Sequence, residues 1–342
     1  MSEALRIAVI GGGQIAQRGH IPGYIQGGAQ VVALCDKNQL VLESVSQQYQ
    51  IKRRYQDWQK MLADGGFDAV SICTPPYLHS EMAVESSQHG YHVLVEKPIA
   101  VSLEQCDRMI EAAQNGGVIL MISHNQRFMG PHRIAKDILD SGRLGMVYLI
   151  HGVFGHQGPE IWSPTQEWYF QPEQAGLGVC ADLGYHKIDL IRWITNQEIT
   201  SISAFKNTFE KQTALEDTAV FCFQLSRGSL GTIQVSWVFR PDWENSLTIR
   251  CEKGVIRIPT EANEPVKVLT NQGTSTLVEA NYQCSSPDTS GWFGAVGAFL
   301  EAVKNGLPSP VPGDDARASL AVVLAANLSA NQKKVIDLQG KP

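Results

Sequence analysis

Two side chains that can handle protons, Asp182 and His186, stand four residues apart in the stretch AGLGVCADLGYHKIDLIRW. On a helix, residues i and i+4 share a face, so this segment would present a carboxylate and an imidazole together, with Asp189 one turn further on. An imidazole titrates in the range needed to take a proton from a hydroxyl group. The same spacing also occurs in pairs that only stabilise a helix, and both interpretations stay open at this point.

A second candidate is the sequence VLVEKPIA, residues 93–100, where Glu96 and Lys97 follow an apolar run typical of a buried strand. In open α/β sheets, ligands bind beyond the carboxyl ends of the strands. We therefore expect both side chains to face such a crevice rather than to be buried with the strand. The alternative is an ordinary surface ion pair. Pro98 predicts a rigid turn, and the sequence does not fix its isomer.

A glycine-rich stretch, GGGQIA, follows the first apolar run. Gly11, Gly13 and Ala16 fit G-x-G-x-x-G/A, in which backbone N–H groups approach a pyrophosphate at a helix N-terminus. Asp36 stands twenty residues after Ala16 (36 minus 16), where a carboxylate can bind ribose hydroxyls. The pattern predicts a dinucleotide site, with tight packing as the alternative. Asp36 would repel a 2′-phosphate, which favours NAD over NADP, although Lys37 partly offsets that charge.

The first third of the chain alternates strands with amphipathic helices. The apolar runs are LRIAVI, QVVALCD, DAVSICT, HVLVEK and VILMIS. Their continuous apolarity indicates burial on both faces, as in a parallel sheet covered by helices. In SLEQCDRMIEAAQNGG, Ser102 is a candidate N-cap and Gly116 or Gly117 a helix end. We predict a doubly wound Rossmann domain over residues 1–124.

Beyond residue 124 the pattern changes. A helix near PHRIAKDILDSG, a strand near MVYLIHGVFGH and the helix with Asp182 and His186 come first. Short strands joined by turns follow, at ISAFKN, TAVFCFQL, GSLGTIQVSWVF, NSLTIRC and GVIRIP. Two helices with apolar stripes close the chain. We predict a second domain over residues 125–342 with a mostly antiparallel sheet.

Composition narrows the classes of partner. A chain of 342 residues is long enough for two cores. Its 43% hydrophobic and 18% charged residues are typical of a globular protein. A net charge of −6 provides no basic face for nucleic acid or an anionic membrane, so we expect a small-molecule partner. The first residues resemble no signal peptide and no run is long enough to span a membrane, so we expect a cytoplasmic protein.

Neither cysteines nor histidines are spaced as metal ligands. The seven cysteines are scattered without a C-x-x-C pair, which predicts reduced and mostly buried thiols rather than a zinc site or a disulfide framework. They are Cys35, Cys73, Cys106, Cys180, Cys222, Cys251 and Cys284. The same holds for His20, His124, His151 and His156, and we expect no metal.

Five stretches in order along the chain resemble the Gfo/Idh/MocA family, that of glucose–fructose oxidoreductase and inositol dehydrogenase. They are GGGQIAQRGHIPG, TPPYLHSEMA at 74–83, EKP at 96–98, HNQRF at 124–128 and DLGYHKIDL at 182–190. EKP and the later D-x-x-x-H are the most specific. The resemblance implies an N-terminal Rossmann domain and a C-terminal α/β domain with a large open sheet used for oligomer contacts. A homodimer or homotetramer is therefore expected.

The resemblance also implies NAD(P)-dependent hydride transfer between nicotinamide and a secondary alcohol or ketone of a sugar, sugar derivative or cyclitol. Lys97 would contact the reacting oxygen and His186 would be the general acid/base there. Asp182 would orient the histidine or bind substrate, and Glu96 would lie near the nicotinamide ribose. The residues expected at the cofactor are Gly11, Gly13, Gln14, Ile15, Asp36, Lys37, Thr74, Pro75, His79, Glu96 and Lys97. For His79, a place at a helix start is the alternative.

The expected substrate-binding residues are Asn125, Arg127, Tyr169, Asp182 and His186. Trp162, Trp168 and Tyr169, in the aromatic segment before the second helix, would line a sugar pocket or belong to the core. Two positions depart from the family pattern: Ala16 replaces the third glycine, and Leu177 interrupts a stretch that is usually richer in glycine. Neither departure touches a catalytic position.

Two other functions are compatible with the same residues. One is an NAD-dependent glycosidase that uses transient oxidation to assist elimination. The other is a non-enzymatic NAD-binding regulator, which would have no reason to keep Lys97, Asp182 and His186 together.

Overall fold

The computed structural model describes residues 4–161, 163, 167–261, 264–271, 275–278 and 291–338, with backbone alone for 275–278. The chain forms two compact units. The first contains residues 1–125 and 292–317, and the second contains residues 126–291 and 318–342. Within the described ranges, no helix combines the length and apolarity that crossing a membrane would need.

The first unit is built on a six-stranded sheet in the order β3-β2-β1-β4-β5-β6. All of its strand pairs are parallel. The strands are β1 (Arg6–Ile10), β2 (Gln30–Cys35), β3 (Arg53–Tyr55), β4 (Ala69–Ile72), β5 (His92–Val95) and β6 (Leu120–Ile122). Side chains of β4 and β6 are buried throughout, as the continuous apolar runs predict. The doubly wound parallel sheet is confirmed.

Helices of the first unit begin at side-chain caps where the sequence supplies them. Asn38, Asp57 and Ser102 each accept hydrogen bonds from backbone N–H groups of the first turn. Gly117, in the left-handed conformation, ends the helix that Ser102 begins. The helices are α1 (Ile21–Gln26), α2 (Gln39–Gln48), α3 (Trp58–Asp64), α4 (His79–Gln88) and α5 (Leu103–Gly116). A π-helical turn, Ala16–His20, leads into α1.

A late helix, α9 (Trp292–Asn305), belongs to the first unit, whereas the sequence assigns residues 125–342 to a second domain. The reason is a glycine stripe with a four-residue period at Gly19, Gly23 and Gly27. Added Cβ atoms there would lie 2.9, 3.1 and 2.5 Å from side-chain atoms of Trp292, Val296 and Leu300. The missing side chains let α9 pack closely against α1. A segment after α9 also contacts the six-stranded sheet. The Val311 carbonyl accepts from the N–H of Ile122, in β6, at 3.0 Å.

The second unit contains a nine-stranded sheet in the order β14-β13-β12-β11-β7-β10-β9-β8-β15. Its strands are β7 (Val147–Gly155), β8 (Ile199–Asn207), β9 (Thr218–Leu225), β10 (Leu230–Ser236), β11 (Glu244–Cys251), β12 (Gly254–Ile258), β13 (Val266–Thr270), β14 (Ser275–Val278) and β15 (Ile336–Asp337). Only the β7–β10 pair is parallel among these described strands. The mostly antiparallel sheet is therefore confirmed.

The helices of the second unit are α6 (Gly130–Asp140), α7 (Pro172–Ala175) and α8 (Tyr185–Thr195). The residues of α10 (Gly313–Gln332) are divided between the units at Arg317. A second π-helical turn, Cys180–Gly184, runs directly into α8. Short 3-10 turns lie at Pro76–Leu78, Asn125–Phe128, Pro159–Ile161 and Glu167–Phe170.

Candidate functional site

The glycine loop follows β1 and passes close to the chain after β4. Gly11 has φ +93°, and a Cβ on it would lie 2.6 Å from the Cys73 carbonyl oxygen. Its N–H donates to the Cys35 carbonyl at 2.8 Å. Gly13, Gln14 and Ile15 are partly exposed where the helix begins. Only glycine allows this backbone course, which leaves the helix N-terminus open for a pyrophosphate.

Asp36 lies directly after β2, beside the glycine loop. Its Oδ2 accepts from the Gly12 N–H and its Oδ1 from the Asn38 N–H, both at 2.8 Å. These bonds hold a partly exposed carboxylate in place, while Lys37 is exposed. The parallel strands bring this carboxylate, the glycine loop, Thr74 and Lys97 to the same edge of the sheet.

Glu96 differs from the expectation that it would face an open crevice. It is 6% exposed, and its Oε1 lies 2.8 Å from Nε2 of His20. The Nδ1 of His20 lies 2.7 Å from the Ser71 hydroxyl oxygen. The reason is that His20, on the π-helical turn after the glycine loop, is itself fully buried and needs polar partners. Glu96 thus holds the turn after β5 in place through a buried contact with His20.

The pKa values in this pair favour its ionised form. Burial lowers the pKa of His20, but interactions with Cys73 and Glu96 more than offset this, and the net pKa is raised. Burial raises the pKa of Glu96, and the hydrogen bond and charge of His20 outweigh it, so the net pKa is lowered. A buried imidazolium and carboxylate therefore hold each other in place.

Lys97 is half-buried, unlike the buried residues on both sides of it. The Lys97–Pro98 peptide bond is cis. The Lys97 N–H donates to Oε2 of Glu96 at 3.2 Å. The backbone of this lysine is thus fixed by the same carboxylate that bonds His20.

His79 is fully buried between two loops at the sheet edge, at the start of α4. Its Nδ1 lies 2.9 Å from the Pro98 carbonyl oxygen and its Nε2 lies 2.8 Å from the Thr74 carbonyl oxygen. Burial lowers the pKa of His79. The hydrogen bonds to these carbonyls offset this only in part, so the net pKa is lowered. With both nitrogens committed to backbone, the ring braces the Thr74–Pro75 loop against the EKP turn instead of meeting a cofactor.

Asp182 and His186 stand out in the second unit by exposure. From Gly178 to Arg192 every other residue is buried, and these two alone are partly exposed. Asp182 lies in the π-helical turn and His186 in the first turn of α8. The segment is helical, but its first turn is wider than the sequence predicts, as is often found at functional sites.

Asp182 bonds a tryptophan that the sequence analysis did not select. Its Oδ2 accepts from the indole Nε1 of Trp237 at 3.0 Å. The ring of Tyr169 meets Trp237 edge-on at 6.5 Å and stacks on Trp168 at 3.8 Å. The indole of Trp237 therefore contacts Tyr169 through its ring and Asp182 through its N–H group. Trp162 lies outside the described residues.

The imidazole of His186 packs against Phe154, with ring centroids 5.8 Å apart. The ammonium of Lys187 lies 5.7 Å from the same ring and donates to the Ser246 carbonyl at 3.0 Å. Lys187 is fully buried, and burial lowers its pKa to about 7. The ring of Phe154 thus contacts both a partly exposed histidine and a buried amine.

Arg127 differs from the expectation that it would reach substrate or nicotinamide, whereas the role expected of Asn125 stays a prediction. Arg127 is buried, and its guanidinium forms a two-point ion pair with Asp189, with Nε to Oδ2 at 2.8 Å. Ser319 also donates to Asp189 at 3.2 Å. A buried arginine needs such a partner, and this one fixes α8 internally. Asn125 is buried as well, at 8% exposure.

The residues that sequence analysis missed are buried polar groups with distant partners. His20 and Glu96 are 76 positions apart, and Asp182 and Trp237 are 55 apart. The sequence around His20, with Gln17 and Arg18 close by, gave no local signal that this histidine is buried. In the described part of the chain, no group of three or more His, Cys, Asp or Glu side chains is arranged to hold a metal. The six described cysteines are free thiols, and four of them are buried.

Comparison with known proteins places this geometry in a family. The model described as the oxidoreductase family with an NAD-binding Rossmann fold matches residues 5–124. The GFO/IDH/MocA C-terminal domain matches residues 132–257. The scyllo-inositol 2-dehydrogenase (NAD(+)) of Bacillus subtilis is 27% identical over 347 residues, covering 100% of this chain and 98% of that protein. The D-apiose dehydrogenase of Rhizobium rhizogenes is 26% identical, with 91% of each chain covered.

Among solved structures, the WlbA dehydrogenase from Bordetella pertussis in complex with NADH and UDP-GlcNAcA superposes with a TM-score of 0.89 at 26% identity. The match covers 100% of this chain and 99% of that one. Both halves of the described fold thus agree with the two family models. The chain belongs to the Gfo/Idh/MocA family of oxidoreductases and has its NAD-binding Rossmann domain.

Proposed function

We propose that this protein oxidises a secondary alcohol of a sugar, sugar derivative or cyclitol with NAD⁺, or reduces the corresponding ketone. The observation that carries the proposal is the presence of Lys97, Asp182 and His186, each partly exposed in an otherwise buried stretch. The named relatives, which act on scyllo-inositol and D-apiose, support the substrate class.

NAD, when bound, supplies the hydride acceptor or donor. Gly11, Gly13, Gln14 and Ile15 would hold its pyrophosphate, and Asp36 its adenosine ribose. Thr74 and Pro75 would line the cofactor side of the sheet edge, and His79 would hold that loop in place. The carboxylate of Asp36 favours NAD, and NADP stays an alternative because Lys37 lies beside it.

The reacting oxygen of the substrate would be served by two side chains. The Lys97 ammonium would stabilise negative charge that develops on that oxygen as hydride leaves carbon. His186 would take the hydroxyl proton, and Asp182 would bind substrate or orient the histidine. We assign Glu96 to positioning, since its oxygens are occupied by His20 and the Lys97 N–H.

The Trp168 and Tyr169 pair would supply an apolar surface for the C–H face of a sugar. The two rings are stacked at 3.8 Å, and both are only half-buried. Half-buried aromatic rings suit the C–H face of a sugar, and the Asp182 carboxylate, bonded to the indole that Tyr169 contacts, suits its hydroxyl groups.

The experiment is reduction of NAD⁺ or NADP⁺ by purified protein across a panel of inositols, aldoses, glycosides and nucleotide sugars. Appearance of NADH with one of them is the expected result. Cofactor binding with no turnover on any of them would contradict it, and aglycone release without net NADH would indicate the glycosidase. Lys97→Ala should bind NAD⁺ and lose turnover.

We further propose a homodimer or homotetramer formed through the nine-stranded sheet. One face of that sheet exposes Phe205 (76%), Leu230 (53%) and Val220 (37%). Phe205 and Val220 are paired neighbours in the ladder, as are Leu230 and Leu149. Exposed apolar side chains that neighbour one another on one sheet face are typical of protein–protein contacts. Sedimentation of the wild type against Phe205→Glu tests this, and a monomeric wild type would contradict it.

A further inference from the structure

The indole of Trp237 is an unusual partner for a carboxylate that would serve a substrate. Its Nε1 lies 3.0 Å from Oδ2 of Asp182, and the side chain is 1% exposed. An indole N–H can only donate, so Asp182 is the acceptor in this bond. One carboxylate oxygen is thereby directed toward the protein interior.

Trp237 has little freedom to turn away from this bond. Its backbone N–H donates to the Asp217 carbonyl at 2.7 Å, directly after β10 ends. The rings of Tyr169 and Phe170 meet the indole edge-on, at 6.5 and 5.9 Å. The donor is thus held by a backbone bond and by two aromatic side chains.

Glu216, the residue before Asp217, bonds the backbone of the segment that carries Asp182. Oε1 of Glu216 accepts from the N–H groups of Gly178 at 2.9 Å and Cys180 at 3.2 Å. The Glu216 carbonyl accepts from the Val179 N–H at 3.0 Å. A Cβ on Gly178 would lie 2.1 Å from that carbonyl oxygen, so the approach needs glycine. Glu216 therefore fixes the start of the π-helical turn that carries Asp182.

We propose that Trp237 is a positioning residue for Asp182, which it orients through the indole hydrogen bond. The Glu216–Asp217 dipeptide supports both partners, Glu216 through the turn with Asp182 and Asp217 through the backbone of Trp237. With Oδ2 bound to the indole, the plane of the carboxylate is set before substrate arrives. This inference rests on the proposed function, in which Asp182 serves the substrate.

A role in packing alone is the competing explanation, since Trp237 is large and buried. A double-mutant cycle separates the two. Trp237→Phe removes the N–H and keeps an aromatic ring, and Asp182→Ala removes the acceptor. We expect Trp237→Phe to lower kcat/KM for the polyol about tenfold, as loss of a hydrogen bond to a charged group does. KM for NAD⁺ should stay within twofold of the wild type, because the cofactor site lies on other residues.

In the Asp182→Ala background, Trp237→Phe should change kcat/KM by less than twofold. An undiminished tenfold loss there would overturn the proposal. Where Asp182→Ala turns over too slowly, the same cycle is measured on polyol affinity of the NAD⁺-loaded protein. Trp193→Phe is the matched control, because Trp193 lies on α8 and contacts Arg127 and Lys136 instead. It should leave kcat/KM unchanged.

A second readout needs no substrate. The ¹⁵N indole resonance of Trp237, assigned by its loss in Trp237→Phe, should move upfield in Asp182→Ala as the hydrogen bond is lost. An unmoved resonance would overturn the proposal whether or not the wild type is active. A moved resonance in a protein that oxidises no polyol would instead place the failure in the proposed function.

Discussion

Oε1 of Glu96 lies 2.8 Å from Nε2 of His20, and both side chains are buried. This pair joins the helix after the glycine loop to the turn that carries Lys97. Breaking a buried ion pair leaves one uncompensated charge in the interior, and this costs more than removing both charges.

We therefore expect His20→Gln and Glu96→Gln each to lower the free energy of unfolding by about 3–5 kcal/mol. The double variant His20→Leu/Glu96→Met should recover most of that loss. Urea denaturation at constant pH measures all three. Single losses no larger than those of an exposed pair, about 0–1 kcal/mol, would show that the pair is not ionised.

A side chain at Gly11 should weaken NAD⁺ binding, because it would collide with the backbone after β4. In Gly11→Ala the Cβ would lie 2.6 Å from the Cys73 carbonyl oxygen, so the loop must shift. We expect at least a tenfold loss of NAD⁺ affinity, about 1.4 kcal/mol, in a fluorescence titration. Gly28→Ala is the control, because Gly28 also has a positive φ, +76°, but nothing lies within 4 Å of its Cβ position. Equal losses in both variants would attribute the effect to backbone strain.

Asp36→Asn tests the basis of cofactor preference. The amide oxygen can still accept from the Gly12 N–H, while the negative charge that opposes a 2′-phosphate is removed. We expect the ratio of NAD⁺ to NADP⁺ affinity to fall about tenfold, as removal of one close like charge implies. Both dissociation constants come from the same titration. A ratio equal to that of the wild type would mean that Asp36 does not set the preference.

Lys187 should make stability depend on pH. Burial lowers its pKa to about 7 in the folded chain, against 10.5 in the unfolded chain. Between these values the unfolded chain binds a proton that the folded chain lacks, so the stability of the wild type rises with pH over that window. Lys187→Met has no titrating amine at this position, so its stability lacks this pH dependence.

The advantage of Lys187→Met in unfolding free energy should therefore shrink with rising pH, by at most about 1.4 kcal/mol for each pH unit between 7 and 10.5. Denaturation at several pH values measures it. The exposed Lys304→Met is the control and should show no such slope. Parallel stability curves for wild type and Lys187→Met would refute the lowered pKa.

Much of the fold follows from patterns that are local in the sequence. Continuous apolar runs predict the buried parallel strands, and Ser102 with Gly117 marks both ends of α5. Four strands were missed, namely β3, β13, β14 and β15. Strand β3 has only three residues at a sheet edge, and β15 has two, so neither is long enough for a periodic signal. The packing of α9 on α1 depends on a glycine stripe whose partner lies over 250 positions later.

The sequence predicted which residues belong to the candidate site, but it did not predict which partners they contact. Asp182, His186 and Lys97 were selected because spacing and family resemblance mark them, and their roles stay a prediction. Arg127 was expected at a ligand, yet it pairs with Asp189, which lies 62 positions away. No local pattern separates an arginine that binds a ligand from one that neutralises a buried carboxylate. His20 and Trp237 were missed for the same reason, since each matters through a partner far along the chain.

The central claim is direct hydride transfer between NAD and a polyol carbon. Its most direct measurement is the fate of deuterium at the reacting carbon of whichever polyol reduces NAD⁺ in the panel. Mass spectrometry of the NADH formed should find that deuterium on the nicotinamide. NADH without deuterium, deuterium released to water, or no polyol that reduces NAD⁺ at all would contradict the account.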